Sequence, residues 1–141
     1  MSVSFHTEDI SFNLQQKLRH KQWIREWILQ HDKIPGDLSY VFTSNERIRH
    51  INQEYLNHNY FTDVISFDYS VDRIVSGDIF IGVEEVKKNA DFYKQDFEHE
   101  LRRVMIHGVT HLLGFADQSQ EEKEIMREKE NEALHLWKKL V

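Results

Sequence analysis

The stretch HGVTHLLGFAD, residues 107 to 117, concentrates the side chains best suited to chemistry. His107 and His111 are four residues apart, so on a helix they share one face a single turn apart. Two imidazoles placed this way reach one ion at about 2.0–2.1 Å when the ion is zinc. Gly114 follows, and glycine suits the left-handed residue that ends a helix. The chain then doubles back and offers Asp117 to the same ion, because carboxylate oxygen binds zinc at a similar distance. The competing reading is helix core running into a turn. Against it, the histidines sit between VMI and LLGF, where partly buried imidazoles need polar partners. A metal supplies them. The expected site is one divalent ion on His107, His111 and Asp117. Zinc is favoured, and two histidines with a carboxylate also suit other divalent metals.

Metalloproteases of the H-E-x-x-H type place a glutamate base directly after the first histidine. Here that position is Gly108, which argues against ordinary peptide hydrolysis. A two-histidine, one-carboxylate site also carries a formal charge of about +1 with zinc, against about +2 for three histidines. That difference predicts a less acidic bound water and an activity profile displaced to higher pH.

The ligands need elements to hold them. SVSFH alternates as a short strand, and apolar residues from Leu14 through Leu18, Trp23, Ile24, Trp27 and Ile28 predict a helix to Gln30. KIPGD reads as a turn and LSYVF as a strand. Thr43 with Glu46 reads as a capping box opening a helix to about Leu56. DVISFDY and GDIFIGV read as strands, EEVKKNADFYK as a helix, and Glu98 to Leu113 as the ligand-bearing helix. The buried stripe of that last helix is Leu101, Val104, Met105, Val109 and Leu112. Ser119 to Glu122 forms a second capping box, opening a charged helix that reaches Trp137 and Leu140. The expectation is one α+β domain over residues 1–141. It has a mixed sheet of about four strands, about five helices, and a metal-binding helix followed by a tight glycine turn.

Composition narrows the partners. At 141 residues, with 40% hydrophobic content and 12% aromatic, the chain sustains one sizeable core. No apolar run approaches the roughly 18 residues a bilayer needs, so no membrane partner is expected. The first residues, MSVSFHTEDI, lack a basic n-region and a long apolar h-region; no signal peptide is expected. The absence of cysteine fits a cytoplasmic protein. A net charge of -6 excludes attraction of nucleic acid by the overall field, leaving a local basic patch or a multivalent metal. No dinucleotide cofactor is expected.

Three blocks resemble the YbeY family of bacterial rRNA-maturation endoribonucleases. HGVTHLLGFAD is similar to that family's HGxLHLxGYDH signature at His107, Gly108, His111, Leu112 and Gly114. FTDVISF resembles its TDVLSF block at Thr62, Asp63, Val64, Ser66 and Phe67, and SGDIFI resembles its GDIxI strand at Gly77 and Asp78. The resemblance implies a zinc-dependent, single-strand-specific endoribonuclease. It implies action in maturation of the small-subunit (16S) rRNA 3′ end and in ribosome quality control, with the small subunit as partner. Two positions depart from the pattern: Asp117 stands where a third histidine is usual, and Leu56 where an arginine is usual.

Other residues carry paired readings. Asp63 and Ser66 are the catalytic candidates, positioning water or a ligand; equally, they belong to a turn entering a strand. Asp78 reads as a turn acid or structural hydrogen-bonding group, or as a group that orients a histidine. Lys87, Lys88, Arg102 and Arg103 are candidate RNA-phosphate contacts, or solvated helix faces. His58 is a candidate substrate contact. SQEEKEIMREKENE reads as a solvated, RNA-repelling helix face and is expected away from the substrate groove. Two alternatives to the nuclease are a metalloprotease-like hydrolase and a non-catalytic ribosome assembly factor with a structural metal.

Overall fold

Alternating strands and amphipathic helices produce one four-stranded sheet with helices on both faces. The computed structural model describes residues 2–56 and 62–140. In chain order the elements are β1 (Ser2–Glu8), α1 (Lys17–Gln30), β2 (Ile34–Thr43), α2 (Asn45–Leu56), β3 (Val64–Asp68), β4 (Ile74–Gly82), α3 (Val83–Phe92), α4 (Phe97–Leu112) and α5 (Gln120–Lys139). The sheet order is β1-β2-β4-β3, with β1 and β4 parallel to β2 and β3 antiparallel to β4. This is the mixed α+β sheet expected from the sequence. No described helix is long and apolar enough to cross a membrane.

The period-2 pattern of β4 sorts its side chains between two layers. Val75, Ile79 and Ile81 join the main core with Leu38, Tyr40 and Phe42 of β2. The buried stripes of α1 and α4 complete that core. Phe80, on the opposite face, packs with Ile48 and Ile51 of α2 and with Ile65 and Phe67 of β3. Polar tips on core aromatics fix the ligand helix in place. Tyr40 donates its hydroxyl to the Met105 carbonyl at 2.9 Å, and the Trp27 indole donates to Thr110 Oγ1 at 3.0 Å. The Trp23 indole does the same for α5, donating to the Ala133 carbonyl at 2.7 Å. Buried N–H and O–H groups need such partners, so burial and positioning are satisfied together.

Three local expectations are corrected. The first helix begins at Lys17, not Leu14, because Gln16 adopts a left-handed conformation (φ 55°). Leu18 is consequently 80% exposed, and His20 takes a place on the buried stripe. KIPGD is not a turn: Pro35 lies in β2 at a register shift, where a missing N–H costs no regular ladder bond. A Cβ on Gly36 would lie 2.3 Å from Ser76 Oγ, so only glycine fits that approach. The cap of α2 is Ser44, not Thr43; its Oγ accepts the Arg47 N–H at 3.1 Å, while Glu46 pairs with Arg49. Thr43 instead ends β2 and is fully buried. The capping box at Ser119 and Glu122 is present as expected.

Candidate metal centre

The ligand helix and the loop after it bring three donors together. Leu113 carries the last helical turn, and Gly114 follows at φ 107° with its N–H on the His111 carbonyl at 3.0 Å. Phe115 then packs against the core, 5.8 Å from the His31 ring, and anchors the returning chain. Asp117 is thereby delivered to His107, with Oδ2 3.5 Å from Nε2. One ligand atom each from His107, His111 and Asp117 lie within 4.8 Å of one another. The imidazole centroids are 5.4 Å apart. His111 is exposed, whereas His107 and Asp117 are half-buried.

His107 is held from behind by a residue that the sequence did not single out. Its Nδ1 lies 2.8 Å from Glu130 Oε2, and Glu130 is 3% exposed on the packed face of α5. A carboxylate there accepts Nδ1–H and leaves the Nε2 lone pair facing the three-donor cluster. Arg103 bonds to Glu130 Oε1 at 2.9 Å and also to Glu100, so the network is charge-paired. The expectation that α5 stands away from the site is therefore wrong. Its signal was legible: Glu130 falls on the stripe Met126, Glu130, Ala133, Leu134 and Trp137, an acid in an apolar series.

The electrostatics suit a cation. Burial lowers the proton affinity of His107, but Glu130, Asp117 and Asp63 outweigh it and raise the pKa above the ordinary value. Burial lowers His111, aided by His107 and opposed by Asp117. Glu130 would be raised by burial, but its bonds to His107 and Arg103 bring it below the usual carboxylate value. Asp63 is raised, chiefly by burial, with His107 and Arg103 opposing. Two nitrogens, one carboxylate oxygen and a second carboxylate behind His107 fit a divalent metal such as zinc.

The other sequence candidates disperse. Asp63 accepts from Asn89 Nδ2 at 3.3 Å and lines the same cavity as the three donors. That cavity has a volume of about 470 Å³ and includes Ser66 and Leu56 in its lining. Ser66 Oγ donates to the Gly108 carbonyl at 3.4 Å, against the back of α4. Asp78 stands within β4, opposite Ser39 and Phe67, and its carboxylate engages Tyr69, a structural bond inside a strand instead of a turn. Arg102 lies over the Trp137 ring at 4.4 Å, and Arg103 is committed to two carboxylates. Lys87 and Lys88 are exposed on α3 and line no part of the cavity. His58 lies outside the described residues. At Gly108 a Cβ would meet Ile79 Cγ2 at 2.8 Å and Ser66 Oγ at 3.2 Å, so a glutamate base has no room there.

Fold and site define a single-domain α+β protein with a cluster of two histidines and one carboxylate that could hold a metal ion. Comparison with known proteins makes this specific. The Endoribonuclease YbeY family description matches residues 2–138, and the chain belongs to that family. Endoribonuclease YbeY of Flavobacterium psychrophilum is 44% identical over 96% of each chain. That of Parabacteroides distasonis is 41% identical, over 95% of this chain and 94% of its own. A solution structure from Thermotoga maritima superposes with a TM-score of 0.67 at 24% identity, covering 96% of this chain and 89% of that one. It bears out the fold.

Proposed function

We propose that this chain, an endoribonuclease by family, cuts single-stranded RNA with a zinc ion held by His107, His111 and Asp117. We place that activity in maturation of the small-subunit rRNA 3′ end and in ribosome quality control, in the cytoplasm. The observation that carries the reading is the convergence of three donor atoms at the mouth of an open cavity. The rRNA role rests on the family likeness.

When bound, the ion supplies Lewis-acid polarisation of a phosphate and acidification of a water. The chain's own groups do the rest. Glu130 accepts the Nδ1 proton of His107 and keeps Nε2 aimed inward. Asp63, whose carboxyl is raised above the ordinary carboxylate value by burial, accepts a proton within the cavity. Its amide partner Asn89 holds the carboxyl in place. Leu56 and Val64 supply apolar wall, which excludes water from one side.

The test is incubation of zinc-loaded protein with single-stranded RNA, duplex RNA and casein. Cleavage confined to single-stranded RNA, stopped by a chelator and restored by zinc, is the expected result. Equal cleavage by wild type and an identically purified Asp63→Asn, His111→Ala double variant would mean a contaminant and overturn the reading.

A further inference from the structure

We propose that the groove on the α5 side of His107 is a phosphate subsite for the RNA strand, with Lys123 and Arg127 as its cations. The proposal rests on the endoribonuclease reading and assigns it a direction of substrate entry. Two cavities meet at His107, and both include Asp63, Val64, His107 and Asp117 in their walls. They differ sharply in charge. Among the described residues the larger cavity has no lysine or arginine in its lining and adds Asp68 to the shared carboxylates. The smaller cavity, about 310 Å³, is lined by Arg103, Lys123 and Arg127.

These three cations are not equivalent. Arg103 is fully engaged by Glu100 and Glu130, with only 16% of its side chain exposed. Arg127 is 57% exposed and meets Glu130 only at 3.7 Å. Lys123 is exposed and has no ion-pair partner among the described residues. Lys123 and Arg127 are four apart on α5, so they project along one edge of the helix, with Cβ atoms about 5–6 Å apart. That edge borders the metal-binding cluster. The exposed acids Glu121, Glu124 and Glu128 belong to the same helix, and the whole chain carries a charge of -6. A polyanion therefore gains nothing from the general field and reaches His107 most favourably across this cationic edge. A strand laid there has one phosphate between Lys123 and Arg127 and the next stretch of backbone at His107, and it leaves through the larger cavity, whose described lining has no lysine or arginine. Phosphate contacts of this kind fix register and carry no base information.

The test compares wild type with the Lys123→Ala, Arg127→Ala double variant and with Lys138→Ala, Lys139→Ala. The latter makes the same charge change on the same helix, centred about 20 Å further along its axis. Binding of a short labelled single-stranded RNA is titrated against salt, and cleavage is followed in parallel. The expected result is severalfold weaker binding in the groove variant and a salt slope shallower by about 0.7 per lost contact. KM should rise with kcat held, and the exchange Lys123→Arg, Arg127→Lys should restore binding. Unchanged affinity and slope in the groove variant would overturn the subsite, as would an equal loss in the Lys138, Lys139 variant. Loss with RNA but not with single-stranded DNA would move the contact to the sugar hydroxyl and also overturn it. If the wild type binds no single-stranded RNA, the endoribonuclease reading falls and the subsite falls with it. Both side chains are exposed, so thermal unfolding of the variants should match wild type.

Discussion

His20 and His107 are both helical histidines packed against the core, and their surroundings drive them in opposite directions. His20 is 3% exposed, with its ring 4.6 Å from Trp137 and further edges against Phe5 and Trp23. Its Nδ1 bonds to the Gln16 carbonyl at 2.9 Å, and its Nε2 has no partner among the described residues. The charges nearby, Arg102 and Arg19, are both positive. Burial, with these cations, lowers its pKa to about 4 despite the Gln16 bond. His107 is half-buried, but it faces Glu130, Asp117 and Asp63, and its pKa is raised. The difference is the counter-charge, not the burial. An aromatic cage makes an imidazole that refuses a cation; a carboxylate wall makes one that takes a proton or a metal.

The most direct way to break this contrast is to remove a ligand. His111→Ala should abolish stoichiometric metal, read by elemental analysis, and RNA cleavage with it. His111 is exposed, so the circular dichroism spectrum should be unchanged. Full metal retention would exclude His111 as a ligand.

The next effect belongs to the other histidine. Unfolded His20 takes a proton below about 6.5, and folded His20 only below about 4. Between those values only the unfolded chain is protonated. Stability is therefore present above pH 6.5 and lost as pH falls towards 4, by up to about 3 kcal/mol. Urea unfolding at a series of pH values should show this, and His20→Phe should flatten the curve. An equally steep curve in the variant would assign the acid sensitivity elsewhere.

Glu130→Gln sharpens the comparison by removing the counter-charge while keeping the shape. Outer partners of metal ligands contribute roughly 10–100-fold in affinity, so competition with a chelator should report weaker zinc binding of that order. Glu128→Gln, on the exposed side of α5, should leave affinity unchanged. The smallest effect is expected at Asp117. Asp117→His raises the formal charge of the site, and the pH–rate profile should move to lower pH; superimposed profiles would refute the charge argument.

The site was legible where spacing alone encodes geometry. A histidine pair at i and i+4, a glycine after it and a carboxylate three residues on were enough to name the cluster that the fold assembles. So were the strand order's ingredients and the five helices, since their periodicity is local. What escaped depends on contacts between elements. Glu130 looks like one acid among many until α5 docks on α4 and turns it inward. Arg103 looks like a free cation until two glutamates claim it. The start of α1 is not legible in the sequence, because a left-handed Gln16 leaves no compositional mark. Pro35 reads as a turn in the sequence because the bulge that tolerates it is set by the neighbouring strand β4.

Gly108 has no side chain, and the depth of the His107, His111 and Asp117 cluster depends on it. Its Cα is the point where α4 rests on Ile79 and Ser66, so it works as a shim of zero thickness between helix and sheet. Alanine there would lift the helix and carry both imidazoles outward together. Asp117, tethered through Phe115, and Asp63, seated at the start of β3, would not follow. The cluster would lose its focus with every donor still in place.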